Sequence, residues 1–178
     1  MSYLRHSAFI SPEFLIRAAT EVWQMTGAAR LRHRVFVEEQ AIFTGHDRDA
    51  TDQQALTLVA ISTLAGEPAE VVGTVRIHQS APGVWWGSRL AVAPEYRQVG
   101  RLGAELIRLA VSTANGQGCV QFNAHVQAQN EPLFRRLHWQ PIGAVDLHGV
   151  PHVHMQASLL HYPSIPDPAI GWSARSRR

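Results

Sequence analysis

We begin with the stretch from Arg89 to Ala104, RLAVAPEYRQVGRLGA, because it decides the fold. A short apolar run ends at Pro94, and a turn that contains Gly100 then opens an amphipathic run. A strand that leads through such a turn into a helix builds an anion site, because the N–H groups of the first helical turn lack intrahelical acceptors and the helix dipole favours negative charge. Arg97 and Arg101 add fixed positive charge beside these amides. The stretch therefore predicts a site for a pyrophosphate.

Length and composition narrow the class of protein. The 178 residues suffice for one domain with a full core, and 46% apolar content is ordinary for a globular protein. No apolar run approaches the roughly 20 residues of a membrane-spanning helix, and we see no apolar core of a signal peptide. The single cysteine, Cys119, excludes an internal disulfide framework and favours a cytoplasmic location. The net charge of +2, without a long basic run, argues against nucleic-acid binding.

Hydrophobic periodicity predicts one domain in residues 1–162 and a Pro- and Arg-rich tail without its own core in residues 163–178. The predicted order is strand, helix, three strands, helix, strand, helix and two strands. The predicted strands cover residues 14–19, 55–63, 71–78, 83–92, 119–125, 140–146 and 152–160, and the predicted helices cover residues 21–40, 97–115 and 130–137. In the first helix we expect Val22, Met25, Ala29, Phe36 and Val37 to share one apolar side.

The opening stretch resembles the coenzyme A-binding motif of the GNAT N-acetyltransferases. In that family a strand end pairs with the pantetheine arm of acetyl-CoA, and an Arg/Gln-x-x-Gly-x-Gly/Ala turn holds its pyrophosphate. Arg97 and Gly100 match this turn, whereas the second small position holds Leu102, with Gly103 one residue later. The resemblance implies an α/β (α+β) fold with a mixed, mostly antiparallel sheet of about seven strands flanked by helices. It also implies acetyl-CoA as cosubstrate and no metal. The contacts with acetyl-CoA that it implies are at Leu90, Ala91, Val92, Arg97, Gln98, Val99, Gly100, Arg101, Leu102, Gly103, Ala104 and Asn130.

Other motifs resemble one branch of this family. Residues 32–36 read Arg-x-x-Val-Phe, the acidic residues Asp49 and Asp52 follow, and residues 73–76 read Gly-Thr-Val-Arg. This combination is similar to ElaA-type acetyltransferases and to acyl-homoserine lactone synthases. Residues 85–92 and 126–130 are most similar to a subgroup of N-acetyltransferases linked to nitrogen starvation.

Acyl transfer to an amine needs a group that removes a proton, because a protonated amine has no lone pair for attack. Glu39, at the end of the first helix, is the first candidate base; the alternative is a solvated charge at the helix end. His125, at the end of the fifth strand, is the second candidate; the alternative is a hydrogen-bonded strand-end histidine. Many family members use a Tyr, at the position of residue 134, as the acid that protonates the leaving thiolate. This chain has Phe134 there, so we expect no side-chain acid.

Three residues are candidates for binding the acceptor, which we expect to be a small-molecule amine. Arg32 and Arg76 could bind an acceptor carboxylate, or could instead pair internally with Asp49 and Asp52. Trp85 is the third candidate. It and Trp86 point to opposite faces of a regular strand, so one of them belongs to the core.

Three further interpretations concern the overall activity. His148, His152 and His154 lack a cysteine or carboxylate cluster that would complete a metal site, so we expect no metal site.

The main hypothesis is direct transfer from acetyl-CoA within a ternary complex. The alternatives are an enzyme similar to the homoserine lactone synthases that uses an acyl-carrier protein, and a CoA-binding sensor without turnover. We expect no membrane or nucleic-acid partner, and the sequence does not decide between a monomer and a homodimer.

Overall fold

The computed structural model describes residues 11–176, which form one open sheet flanked by helices. The helices are α1 (Val22–Arg32), which continues as a π-helix (His33–Glu39), α2 (Leu102–Asn115) and α3 (Glu131–Arg136). The strands are β1 (Glu13–Ala18), β2 (Leu56–Leu64), β3 (Glu67–Ala81), β4 (Val84–Val92), β5 (Gln121–Gln127), β6 (Trp139–Leu147), β7 (Val150–Ala157) and β8 (Trp172–Arg175).

The strand order in the sheet is β6-β7-β5-β4-β3-β2-β1-β8. All pairs are antiparallel except β4 with β5, which are joined through the helix α2 as a parallel pair. The predicted mixed, mostly antiparallel sheet with flanking helices is therefore confirmed.

Helices α1 and α2 pack on opposite faces of the sheet. Successive strand residues point to opposite faces, so each strand can offer apolar side chains to both helices. On one face, Ala28 of α1 packs with Val59 and Ile61 of β2. On the other face, a Cβ added at Gly73 would lie 2.9 Å from Leu106 of α2, which shows how closely this helix approaches the sheet. The main core contains Leu106 and Leu109 of α2, and it also includes Leu31, Val35 and Phe36 of α1 and the π-helix.

The apolar side predicted for the first helix is wrong at Val22, Met25 and Ala29, which are exposed, whereas Phe36 is buried as predicted. Val22 is 82% exposed and Met25 is 48% exposed, whereas Gln24, Ala28 and Leu31 are buried. Gln24 is buried because its side-chain oxygen accepts hydrogen bonds from the backbone N–H groups at the helix start, at 2.8 and 3.4 Å. The cap therefore determines the rotation of the helix, and two apolar side chains point outward.

The segment predicted as a tail contributes an eighth strand. Strand β8 pairs antiparallel with β1, with Phe14 opposite Ala174 and Ile16 opposite Trp172. Trp172 also donates a hydrogen bond from Nε1 to Glu105 of α2 at 2.7 Å. Residues 172–175 thus extend the sheet beyond the seven strands that were predicted.

Candidate active site

Strands β4 and β5 separate part-way along the sheet. They pair only over Val84–Gly87 and Gln121–Ala124, although both continue to Val92 and Gln127. A cavity of about 430 Å³ lies at this divergence. Its lining includes Ile107 from the α2 side of the sheet and Phe43 from the opposite side, so the cavity reaches both faces.

A β-bulge in β4 shapes the cavity wall. Thr74 of β3 pairs with Ala91, but Arg76 pairs with Ser88, so β4 carries an extra residue between these pairs. Arg89 lies in the bulge with a φ of 55°, a left-handed conformation that is unusual for a residue with a side chain. The bulge re-aims the side chains of β4, and both Arg89 and Leu90 line the cavity.

The turn between β4 and α2 has the geometry of an anion site. Gly100 (φ 68°) and Arg101 (φ 53°) are left-handed, and α2 starts at the next residue. Within residues 11–176, the backbone N–H groups from Gly100 to Ala104 donate to no protein acceptor. A Cβ added at Gly103 would meet no atom within 4 Å, so a ligand can approach the backbone there. The residues therefore fit a pyrophosphate.

The departure at Leu102 has a simple structural explanation. Its side chain is 1% exposed and belongs to the main core, so it points away from the free N–H groups. The small residue of this turn is Gly103, one residue later, with open space around it.

Glu39 and Arg97, which the sequence assigned to different halves of the site, form an ion pair. Arg97 Nη2 donates to Oε1 and Oε2 of Glu39 at 2.7 and 3.0 Å. Arg97 Nε donates to the carbonyl of Val92 at 3.1 Å. Glu39 does not line the cavity, although its neighbour Gln40 does.

His125 lines the cavity within a group of aromatic rings. Its ring centroid lies 4.8 Å from that of Trp86 and 5.5 Å from that of His154, its partner across the β5–β7 pair. Partial desolvation, and after it His154 and His152, lower the pKa of His125. A histidine with a lowered pKa is neutral at physiological pH and can accept a proton.

The tautomer of His154 follows from its neighbour Asn123. The Asn123 amide nitrogen donates to the carbonyl of Trp85 at 3.4 Å, so its oxygen faces His154. His154 Nε2 lies 3.0 Å from that oxygen and therefore carries the proton.

Arg32 and Arg76 pair internally, which was the alternative to acceptor binding. Arg32 Nε donates to Asp47 at 2.7 Å, and its Nη1 donates to Asp52 at 2.7 Å. Arg76 Nη1 and Nη2 donate to the two carboxylate oxygens of Asp49 at 2.6 and 2.9 Å. We name the six residues Arg32, Arg76, Arg89, Asp47, Asp49 and Asp52 the Arg–Asp cluster.

Contacts within the Arg–Asp cluster shift the pKa values of its members Arg32 and Asp52. Burial lowers the pKa of Arg32, but the hydrogen bonds to Asp52 and Asp47 outweigh it and raise the pKa overall. Burial raises the pKa of Asp52, yet Arg32, the Asp49 backbone and Arg76 bring it well below its usual range. Arg32 and Asp52 therefore keep their charges at physiological pH.

The candidate assignment of Trp85 to the acceptor site is corrected by its position. Trp85 is 6% exposed and lies in the main core. Its neighbour Trp86 points to the other face and lines the cavity, together with His125. Trp86 therefore faces the cavity and Trp85 packs in the core, the reverse of the predicted arrangement.

Two further predicted residues lie at the cavity. Phe134 lines it, and its ring packs edge-on against Trp139 at a centroid distance of 5.0 Å. Asn130, which precedes α3, also contributes to the lining.

Within the described residues 11–176, no group of three or more His, Cys, Asp or Glu side chains is arranged to hold a metal ion. Across the same range, every helix is too short or too polar to cross a bilayer.

Comparison with known families now adds to this geometry. A sequence model described as the acetyltransferase (GNAT) family matches residues 16–139, from β1 to the start of β6. The chain belongs to the acetyltransferase (GNAT) family. Sequence comparison with curated proteins finds no significant match.

Solved structures share the GNAT fold. A candidate N-acetyltransferase from Lactobacillus plantarum aligns with a TM-score of 0.72 and 24% identity, covering 82% of this chain and 98% of that one. Escherichia coli ElaA aligns with a TM-score of 0.67 and 20% identity, covering 84% and 100%. BjaI, a CoA-dependent acyl-homoserine lactone synthase solved with SAM and isopentyl-CoA, aligns with a TM-score of 0.62 and 19% identity, covering 93% and 84%. The recognition of this family from sequence is confirmed, and the ElaA-like branch stays a prediction.

Sequence reasoning missed two residues that line the cavity. Arg89 belongs to the opening motif, but the bulge that turns it into the cavity has no signal in the alternation of the strand. The sequence alone did not decide which of Trp85 and Trp86 faces the cavity.

Proposed function

We propose that this protein is an acyl-CoA-dependent N-acyltransferase that transfers acetyl from acetyl-CoA to a small-molecule amine within a ternary complex. One observation carries the proposal: the cavity at the β4–β5 divergence reaches both faces of the sheet. A thioester held between the strands can therefore be approached by an amine from the face opposite α2. The free N–H groups at the start of α2 support the placement of the pyrophosphate.

The reaction would need few groups from the protein. The amine nitrogen attacks the thioester carbonyl carbon, an amide bond forms, and the C–S bond breaks with its electron pair on sulfur. His125 takes the proton from the amine, because it lines the cavity and is neutral at physiological pH. Phe134 has no hydroxyl, so CoA leaves as the thiolate or takes a proton from water.

Glu39 is the weaker candidate for the base. Both of its carboxylate oxygens accept hydrogen bonds from Arg97, and the side chain lies outside the cavity lining. We therefore place proton removal on His125. Glu39 would instead hold Arg97 beside the turn that binds the pyrophosphate.

Release of free thiol from acetyl-CoA across a panel of amines tests the proposal. We expect amine-dependent release, and a loss of about 10²- to 10⁴-fold in His125→Gln with CoA affinity unchanged by calorimetry. His161→Gln is the matched control, because His161 is exposed and outside the cavity lining. Unchanged turnover in His125→Gln, with loss in Glu39→Gln, would return the role of base to Glu39.

The same measurements separate the two alternative functions. A CoA-binding sensor would bind CoA and release no thiol with any amine. An enzyme similar to the lactone synthases that uses an acyl-carrier protein would be slow with acetyl-CoA and fast with acylated carrier. The free N–H groups at Gly100 to Ala104 favour a CoA thioester, since they fit its pyrophosphate.

A further inference from the structure

The three arginines of the Arg–Asp cluster differ in how many of their donors are used. A guanidinium has five N–H donors. Arg32 and Arg76 each use Nε and both Nη nitrogens in contacts with the protein. Arg89 uses Nε and Nη2: both donate to the carbonyl of Asp47, Nε also lies 3.2 Å from the Asp47 carboxylate, and Nη2 donates to the carboxylate of Asp49. Within residues 11–176, its Nη1 has no acceptor, so both N–H groups of one nitrogen stay available.

Arg89 is also the least compensated cation of the cluster. Burial, and after it the neighbouring Arg76, lower the pKa of Arg89, whereas the pKa values of Arg32 and Arg76 are raised. The Arg89 side chain is 15% exposed, and its guanidinium lies 4.4 Å above the centroid of the Phe43 ring. A guanidinium in this position would gain from an additional anion.

The cavity that Arg89 lines carries no carboxylate. Its charged side chains are Arg76 and Arg89, and no Asp or Glu of the described residues contributes to the lining. Polyamines and other multiply charged cationic amines need acidic partners for binding, so this lining disfavours them.

The part of the cavity on the face opposite α2 is aromatic. Phe43, Trp86, His125 and His148 line it, and the Phe43 and His148 rings lie 4.6 Å apart. Such walls bury the flat or apolar body of a ligand.

We propose that the acceptor is an α-amino acid with an aromatic or large apolar side chain, and that Arg89 binds its carboxylate. The inference rests on the proposed function, whose acceptor it specifies. The carboxylate accepts from Nη1 of Arg89, the side chain packs on the aromatic walls, and the α-amine faces His125.

Matched substrates test the inference on the unmodified protein. We would compare phenylalanine, tryptophan and leucine with phenethylamine, tryptamine and isoamylamine, each pair differing by the carboxylate. A charge-assisted hydrogen bond to the carboxylate should give the amino acids a kcat/KM about 10- to 100-fold higher. An amine that equals or exceeds its amino acid in all three pairs would overturn the inference.

A variant then assigns the effect to Arg89. In Arg89→Gln the preference for the carboxylate should disappear through a higher KM for the amino acid, with the KM of the amine unchanged. Arg89→Lys should restore part of the preference, because it keeps the charge and loses the planar fork. Arg34→Gln is the matched control, since Arg34 pairs with Glu95 at the exposed surface outside the cavity.

Calorimetry with CoA-loaded protein keeps the inference separate from the proposed function. Binding of amino acids that depends on Arg89, without any thiol release, would uphold the amino-acid site at Arg89 but sink the acyltransferase proposal, and with it the acceptor role. Thiol release that favours the amines would do the reverse. If neither amino acids nor amines bind, the inference fails whatever the activity.

Discussion

At Gly103, the second residue of α2, a Cβ would meet no atom within 4 Å. Alanine is preferred over glycine inside a helix, so Gly103→Ala should raise the free energy of unfolding by about 0.5–1 kcal/mol. The added methyl group would project where the pyrophosphate is proposed to approach, so CoA affinity should fall about tenfold, the loss of one charged hydrogen bond. Urea denaturation and calorimetry measure the two effects.

Gly143→Ala is the control for Gly103→Ala, because position 143 is equally open and lies in β6, away from the turn. It should leave CoA affinity unchanged. A Gly103→Ala protein that binds CoA as tightly as the original would show that the pyrophosphate lies elsewhere.

The pH dependence of turnover reports on His125. The group must be neutral to accept a proton, and its lowered pKa places the acidic fall in rate below the ordinary histidine value of about 6.5. His154 contributes to that lowering, so His154→Gln should raise the pKa of His125 and move the acidic fall to higher pH. The kcat/KM profile measures this shift. A profile that His154→Gln leaves in place, as His161→Gln should, would contradict the role of His125.

At the scale of elements, the Arg–Asp cluster connects the last residue of α1, Arg32, to the loop before β2. Arg32→Met would leave Asp47, which is 4% exposed, and Asp52 without this partner. Breaking a buried ion pair typically costs about 3–5 kcal/mol. Arg34→Met, two residues later, removes an exposed pair and should cost about 0–1 kcal/mol. Similar losses in both variants, by urea denaturation, would show that the cluster contributes nothing special to stability.

The helices α1 and α2 differ in how well the sequence predicts their buried faces. In α2 the apolar residues recur at helical spacing, and Leu102, Leu106 and Leu109 are buried. In α1 the pattern was ambiguous, because a buried Gln24 replaces an apolar contact and Val22 is exposed. The π-helix shifts the periodicity from His33 onward, so a pattern based on 3.6 residues per turn loses its phase there.

The candidate site was foretold where it depends on local sequence. The turn from Gly100 to Ala104 is built by consecutive residues, so its motif could be read directly. The pairing of Arg97 with Glu39 joins residues 58 positions apart. Whether Arg76 or Arg89 keeps a donor free for a ligand depends on how both arginines pair with the carboxylates of the Arg–Asp cluster. Such choices follow from packing, which a single sequence does not display.

For the molecule as a whole, Gly171 connects the last strand to the body of the sheet. It has a φ of 55°, and a Cβ there would lie 1.8 Å from the carbonyl oxygen of Ile16. Gly171→Ala should therefore lower the free energy of unfolding by about 2 kcal/mol or more. Gly149→Ala is the control, because it has a φ of 72° with open space around it and should show only the smaller backbone strain. Equal midpoints in thermal denaturation would mean that the close approach to Ile16 is unimportant.

The pairing of β8 with β1 brings together the two ends of the described chain. The backbone N–H of Ser176 donates to the carbonyl of Pro12 at 3.0 Å, so the backbone nearly closes into a ring. A short flexible linker between these residues could complete the ring, and the chain could be reopened at the exposed turn of Ala65 and Gly66 between β2 and β3. In such a circular permutant β1 and β8 would become neighbours in sequence. Their pairing would then be a local hairpin rather than the longest loop closure of the fold.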